Sequence, residues 1–147
     1  TALTNAKKAA DAGDFDKGIA AFQAALEVRS RTSAPFDWAT TKRNLGVAQK
    51  QSAVLTGDAG RLDAAIESYQ DALTVFTQDS SAMDWAQTQA DLGIAALARA
   101  DRTHRKSDLK LARAAYAAAY DVYQHVSEDY AGYFKGKLKD IDKRLKQ

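Results

Sequence analysis

The chain has 147 residues, a formal net charge of +2, 46% hydrophobic and 27% charged side chains, one proline and no cysteine. That length suits a single domain; the lack of cysteine excludes a disulfide framework and thiol catalysis, and no apolar run approaches the roughly 20 residues that span a bilayer. Up to residue 127 there are 15 basic and 15 acidic side chains, and beyond it six basic and four acidic, far from the clustered charge that binds a phosphate backbone.

With 31 alanines, the chain favours helices that can approach closely. Taken in order, its periodicity predicts helical hairpins over about residues 2–30, 36–79 and 82–126 and a final helix over about 128–146. The first hairpin is expected to turn at Gly13-Asp14. Its Leu3, Ala6, Ala9 and Ala10 form an apolar edge with no obvious cap. The chain begins at Thr1 rather than Met, which leaves room for an upstream segment such as a signal peptide or another domain. The second hairpin opens at Pro35, suited to a first helical position, with Asp37 in the first turn, and turns between Gly57 and Gly60. The third opens at Ser81, where Asp84 completes a capping-box pattern, and turns between Asp101 and Ser107. In the final helix Phe134, Leu138, Ile141 and Leu145 share one stripe, expected to cover the last hairpin.

These segments repeat at an offset of 47 residues. Gly18, Ala65 and Ala112 are in step, as are Phe22, Tyr69 and Tyr116, then Ala25, Ala72 and Ala119, then Val28, Val75 and Val122. Phe36-Asp37-Trp38-Ala39 returns as Met83-Asp84-Trp85-Ala86, and Leu45-Gly46 as Leu92-Gly93. A helical period of this length indicates a stacked array in which each unit buries its apolar face on its neighbours. Glycine inside a helix costs about 1 kcal/mol relative to alanine, so Gly46 and Gly93 point to close packing against small partner residues such as Ala65 and Ala112.

At these columns the chain resembles the tetratricopeptide repeat family over about residues 2–126. Ala6 and Gly18 have the spacing of that family's small residues, Leu45-Gly46 and Leu92-Gly93 match its Leu-Gly pair, and Ala65-Tyr69-Ala72 and Ala112-Tyr116-Ala119 match its return helix. The long period and the Asp-Trp-Ala…Leu-Gly pattern are similar to repeats of bacterial multi-repeat proteins; the family's usual unit is 34 residues. The resemblance implies an all-α, right-handed superhelix of three hairpins plus a capping helix, working as a non-catalytic module. It also implies a peptide groove lined by the first helix of each hairpin. Transferred to this chain, the groove positions are Arg43, Asn44, Val47 and Lys50, then Gln87, Asp91 and Ile94. Chaperone-binding members grip a terminal carboxylate with Lys, Arg and Asn; Asn44 fits, but Leu3, Lys7, Gln87 and Asp91 do not, which disfavours that partner.

No motif for catalysis or a cofactor stands out. His125 has Asp121 and Asp129 four residues to either side, but no second His or Cys joins them, so a surface ion pair is expected rather than a metal site. Asp11, Asp14 and Asp16 lack calcium-loop spacing and read as capping of the Gly13 turn. Trp38 and Trp85, repeated in register, read as packing between units, and the tyrosines at 116, 120, 123, 130 and 133 as the apolar seam of the cap. Lys135, Lys139, Lys143 and Lys146 share one face of the last helix, diluted by Asp140 and Asp142, and read as a solvated face.

The expected partner is therefore a protein or peptide, with no nucleic acid, metal or cofactor. Arg43, Asn44 and Lys50 would donate to an acidic or amide group, with Val47, Ile94 and Leu97 as an apolar floor. The alternatives are a structural module whose exposed ends stack into homo-oligomers, and a regulatory segment of a larger signalling protein or enzyme.

Overall fold

A computed structural model describes residues 2–147, with side chains at Thr4, Lys7, Lys8 and from Asp11 onward. The described residues form six α helices and no strand: α1 (Ala2–Val28), α2 (Pro35–Thr56), α3 (Ala59–Ala72), α4 (Ala82–Thr103), α5 (Lys106–Tyr123) and α6 (Glu128–Leu145). No helix is long and apolar enough to cross a membrane among the described residues. The chain divides after Val75 into two units, each with its own helix packing.

The 47-residue offset extends to individual hydrogen bonds. Ser30 and Ser33 join hydroxyls ahead of α2 (2.9 Å), as Thr77 and Ser80 do ahead of α4 (2.7 Å). The Thr41 hydroxyl donates to the Asp37 carbonyl, and that of Thr88 to Asp84, each at 2.7 Å. At the end of α2, Gly57 takes the left-handed conformation at φ 77° and donates its N–H to Ala53; at the end of α4, His104 does the same at φ 57° and donates to Ala100. Pro35 occupies the first turn of α2 as the sequence predicts. Ser81 does not cap α4 with its side chain; its hydroxyl turns back to the Thr77 carbonyl. The side-chain caps are instead Asp58, which accepts the Gly60 N–H, and Ser127, which accepts that of Tyr130.

The predicted turn at Gly13-Asp14 is absent, because α1 runs unbroken through both residues. A break would create two new helix ends, each with up to four unpaired backbone groups. Two internal glycines, Gly13 and Gly18, cost only about 1 kcal/mol each among good helix formers. Three hairpins thus become one long helix and two hairpins. Without a turn to cap, Asp16 pairs with Arg61 of α3 at 2.6 Å. The apolar edge expected at Leu3, Ala6, Ala9 and Ala10 lies outside the described side chains.

In the first unit α2 packs against both α1 and α3. Leu45, Ala48, Leu62, Ala65, Ile66 and Tyr69 are buried. Gly46 lies against the Tyr69 ring: a Cβ there would fall 2.7 Å from it. Two polar ties cross the same hairpin. The Ser68 hydroxyl donates to Gln49 at 2.7 Å, both residues buried, and Arg61 donates to Ser52.

In the second unit α5 packs against both α4 and α6. Ala96, Ala100, Leu109, Ala112, Tyr116 and Ala119 form one core with Phe134 and Ile141 of α6, and Leu138 and Leu145 lie against it, so the predicted stripe covers the hairpin. Gly93 faces Tyr116 as Gly46 faces Tyr69, with 3.1 Å available to a Cβ. Where the first unit has Gln49 and Ser68, the second has buried Ala96 and Ala115. The arginine tie persists with its polarity reversed: Arg99 on the first arm binds buried Asp108 on the second at 2.8 Å, and the Thr103 hydroxyl donates to the same carboxylate at 2.6 Å.

Candidate partner-binding clefts

Four of the seven transferred groove positions, Asn44, Val47, Gln87 and Asp91, line two clefts, one in each unit. In the first, Asn44 and Val47 of α2 face Phe15, Gly18 and Phe22 of α1 across about 320 Å³. Arg43 and Lys50 are half-buried and lie outside its lining. In the second, Gln87 and Asp91 of α4 line a cleft of about 420 Å³ with Tyr130 and Tyr133. Ile94 does not reach that cleft; it packs with Leu97 against the core, so neither is the floor expected of it.

Aromatic side chains supply the floor instead. Residues three and four apart share a helix face, which puts Tyr130, Tyr133 and Phe134 together on the first turns of α6. Ser127 sets that helix start, and the short turn before it brings Tyr123, the last residue of α5, alongside. The Tyr123 and Phe134 rings stack at 5.1 Å with 21° between planes. Tyr130 tilts against Tyr123 at 5.0 Å, and Tyr133 meets Phe134 edge-on at 5.1 Å. Such offset and edge contacts hold rings in fixed relative positions. Tyr130 and Tyr133 nevertheless remain 48% and 45% exposed. The seam expected of the tyrosines is thus divided: Tyr116 is core, while Tyr130 and Tyr133 present a wall.

Behind that wall, burial pushes the Tyr116 phenol well above its ordinary value, with neighbouring Tyr133 adding to the shift. Tyr116 is therefore a neutral core group that lies outside the cleft lining. The carboxylates of Asp91 and Asp129 complete the lining. His125 is exposed in the turn after α5, so the helix does not continue to align Asp121, His125 and Asp129. Among the described residues no group of three His, Cys, Asp or Glu side chains is placed to hold a metal ion.

Trp38 and Trp85 are half-buried, and Lys42 lies 5.5 Å over the Trp38 ring. The lysine face of α6 opens on Leu138 between Lys135, Lys139, Lys143 and Lys146. Asp142, on its edge, is held by Arg113 at 2.5 Å.

Sequence reasoning missed Tyr123, Asp129, Tyr130, Tyr133 and Phe134 as one site. The available signal was Tyr130 and Tyr133 at helical spacing just after a Ser127 cap. No family model, curated protein or solved structure matches the chain.

Proposed function

We propose that the chain is a non-catalytic protein-interaction module, tetratricopeptide-like, with its repeats stacked in a right-handed superhelix and its partner peptide held along the first helix of each hairpin, α2 and α4. One observation carries this reading. Asn44 and Asp91, 47 residues apart in register, each line an open cleft beside an accessory helix. The same face of the repeated helix is left accessible twice, where a purely structural repeat would gain by filling it. Partners captured from cell extract by the wild type are expected to be lost by an Asn44→Arg, Asp91→Arg variant of unchanged melting temperature. Identical partner sets would remove the reading.

Self-association is a second reading, favoured by Phe36 and Met83. These in-register residues are 53% and 50% exposed at the starts of α2 and α4, as apolar contacts between copies require. Sedimentation separates the two: an oligomer dissociated by Phe36→Asp, Met83→Asp supports assembly, and a monomer at high concentration removes it.

A further inference from the structure

The aromatic cleft of the second unit has a chemical preference. Its floor is ring surface from α5 and α6, and the charged side chains in its lining are Asp91 and Asp129, with no lysine, arginine or histidine among them. Glu128 adds a third carboxylate in the first turn of α6. The positive end of the α6 dipole, worth roughly half a charge, opposes a cation there; the full charge of Asp129 in the lining, with that of Glu128 beside it, outweighs it. The lysines of α6 do not fill the cleft, since Lys135, Lys139, Lys143 and Lys146 line a different groove. A cation already sits on this ring system: Lys137 lies 5.7 Å from the Tyr133 centroid without lining the cleft. At about 420 Å³ the space is within the range of pockets that enclose a ligand group.

We propose that this cleft receives an arginine side chain of the partner peptide, its guanidinium stacked on the exposed faces of Tyr130 and Tyr133 and paired with Asp129. The proposal rests on the interaction-module reading and specifies its partner. Aromatic faces attract cations through their quadrupole, and a nearby carboxylate adds direct attraction. Arginine fits better than lysine because its flat, weakly hydrated head can stack and bind a carboxylate in the same pose. This chemistry is opposite in sign to the acidic or amide ligand expected for Arg43, Asn44 and Lys50.

The test titrates the isotope-labelled full chain with end-blocked Gly-Ser peptides carrying one central Arg, norleucine or Glu, reading the amide resonances of Ala90, Tyr130, Tyr133 and Phe134. The Arg peptide is expected to shift these signals saturably, about tenfold more tightly than norleucine, and to weaken at high salt. Asp129→Asn alone, which keeps the ring contacts, should weaken that preference at an unchanged melting temperature, and Asp129→Asn with Tyr130→Ala, both at exposed positions, should abolish it. Equal binding of norleucine and Arg, tighter binding of Glu, or no shift at millimolar peptide would each overturn the proposal. Should partners captured by the wild type be kept by this variant but lost by Asn44→Arg, Asp91→Arg, the arginine subsite fails and the interaction module stands.

Discussion

His104 closes α4 in a left-handed conformation that its counterpart Gly57 adopts at less steric cost. A side chain there costs about 1–2 kcal/mol, partly offset by the greater freedom of unfolded glycine. His104→Gly is therefore expected to raise stability by roughly 0.5–1 kcal/mol in chemical denaturation, and Gly57→Ala to lower it by a similar amount. A lower midpoint for His104→Gly would contradict the cap geometry. Alanine at the two hairpin crossings should separate in the same assay. At Gly46 a Cβ meets the buried Tyr69 ring at 2.7 Å, closer than packed atoms tolerate, whereas at Gly93 the distance to Tyr116 is 3.1 Å. Gly46→Ala should cost about 1–3 kcal/mol through overpacking; Gly93→Ala should be nearly neutral, since alanine regains about 1 kcal/mol of helix propensity. Equal effects would place the two crossings at the same spacing. Hydrogen bonding from Arg113 holds the Asp142 carboxyl below its ordinary 3.8. What this pair adds to stability is present above that ordinary value and fades as pH falls through the lower one. A carboxyl-carbon NMR titration should show a depressed midpoint that returns toward 3.8 in Arg113→Gln; a midpoint unmoved by the substitution would contradict the pairing.

Among the elements, α1 offers the sharpest test, because a turn and a helix at Gly13 respond oppositely to alanine. The space around the Gly13 and Gly18 Cβ positions is open. Gly13→Ala is expected to stabilise α1 by about 1 kcal/mol, whereas at a left-handed turn the same change would destabilise. A lower melting temperature would restore the hairpin. The two true hairpins were legible because Pro35, the Gly57 turn and the apolar stripes of α3 and α5 all indicated the same boundaries. The Gly13 region misled because glycine permits a turn without requiring one, and the aspartates read as caps there, Asp11, Asp14 and Asp16, sit equally well along a continuous helix. Asn44 and Asp91 came from the family resemblance, which marks the same register position in each repeat. The aromatic cleft could not, since it depends on how α6 folds back beside α5, and that packing lies outside the 47-residue repeat.

On the scale of the whole chain, two hairpins of related sequence must each find their own arm during folding. That is a known hazard of repeats, whose like segments can pair wrongly or exchange between molecules. The arginine ties supply discrimination. Were α4 to dock on α3, Arg99 would meet Arg61, two cations in the place of a pair; were α2 to dock on α5, Ser52 would leave the buried Asp108 carboxylate without its arginine. Burying an unmatched charge costs several kcal/mol, more than the shared alanine columns can return. Giving both hairpins the same polarity, with Ser52→Arg and Arg61→Asp, should preserve a tie across each yet slow refolding and produce exchanged dimers. Refolding as fast and as monomeric as the wild type would dismiss the idea. Placing the arginine on opposite arms of the two hairpins gives each arm a private address, so the chain keeps the economy of a repeat without the promiscuity of identical parts.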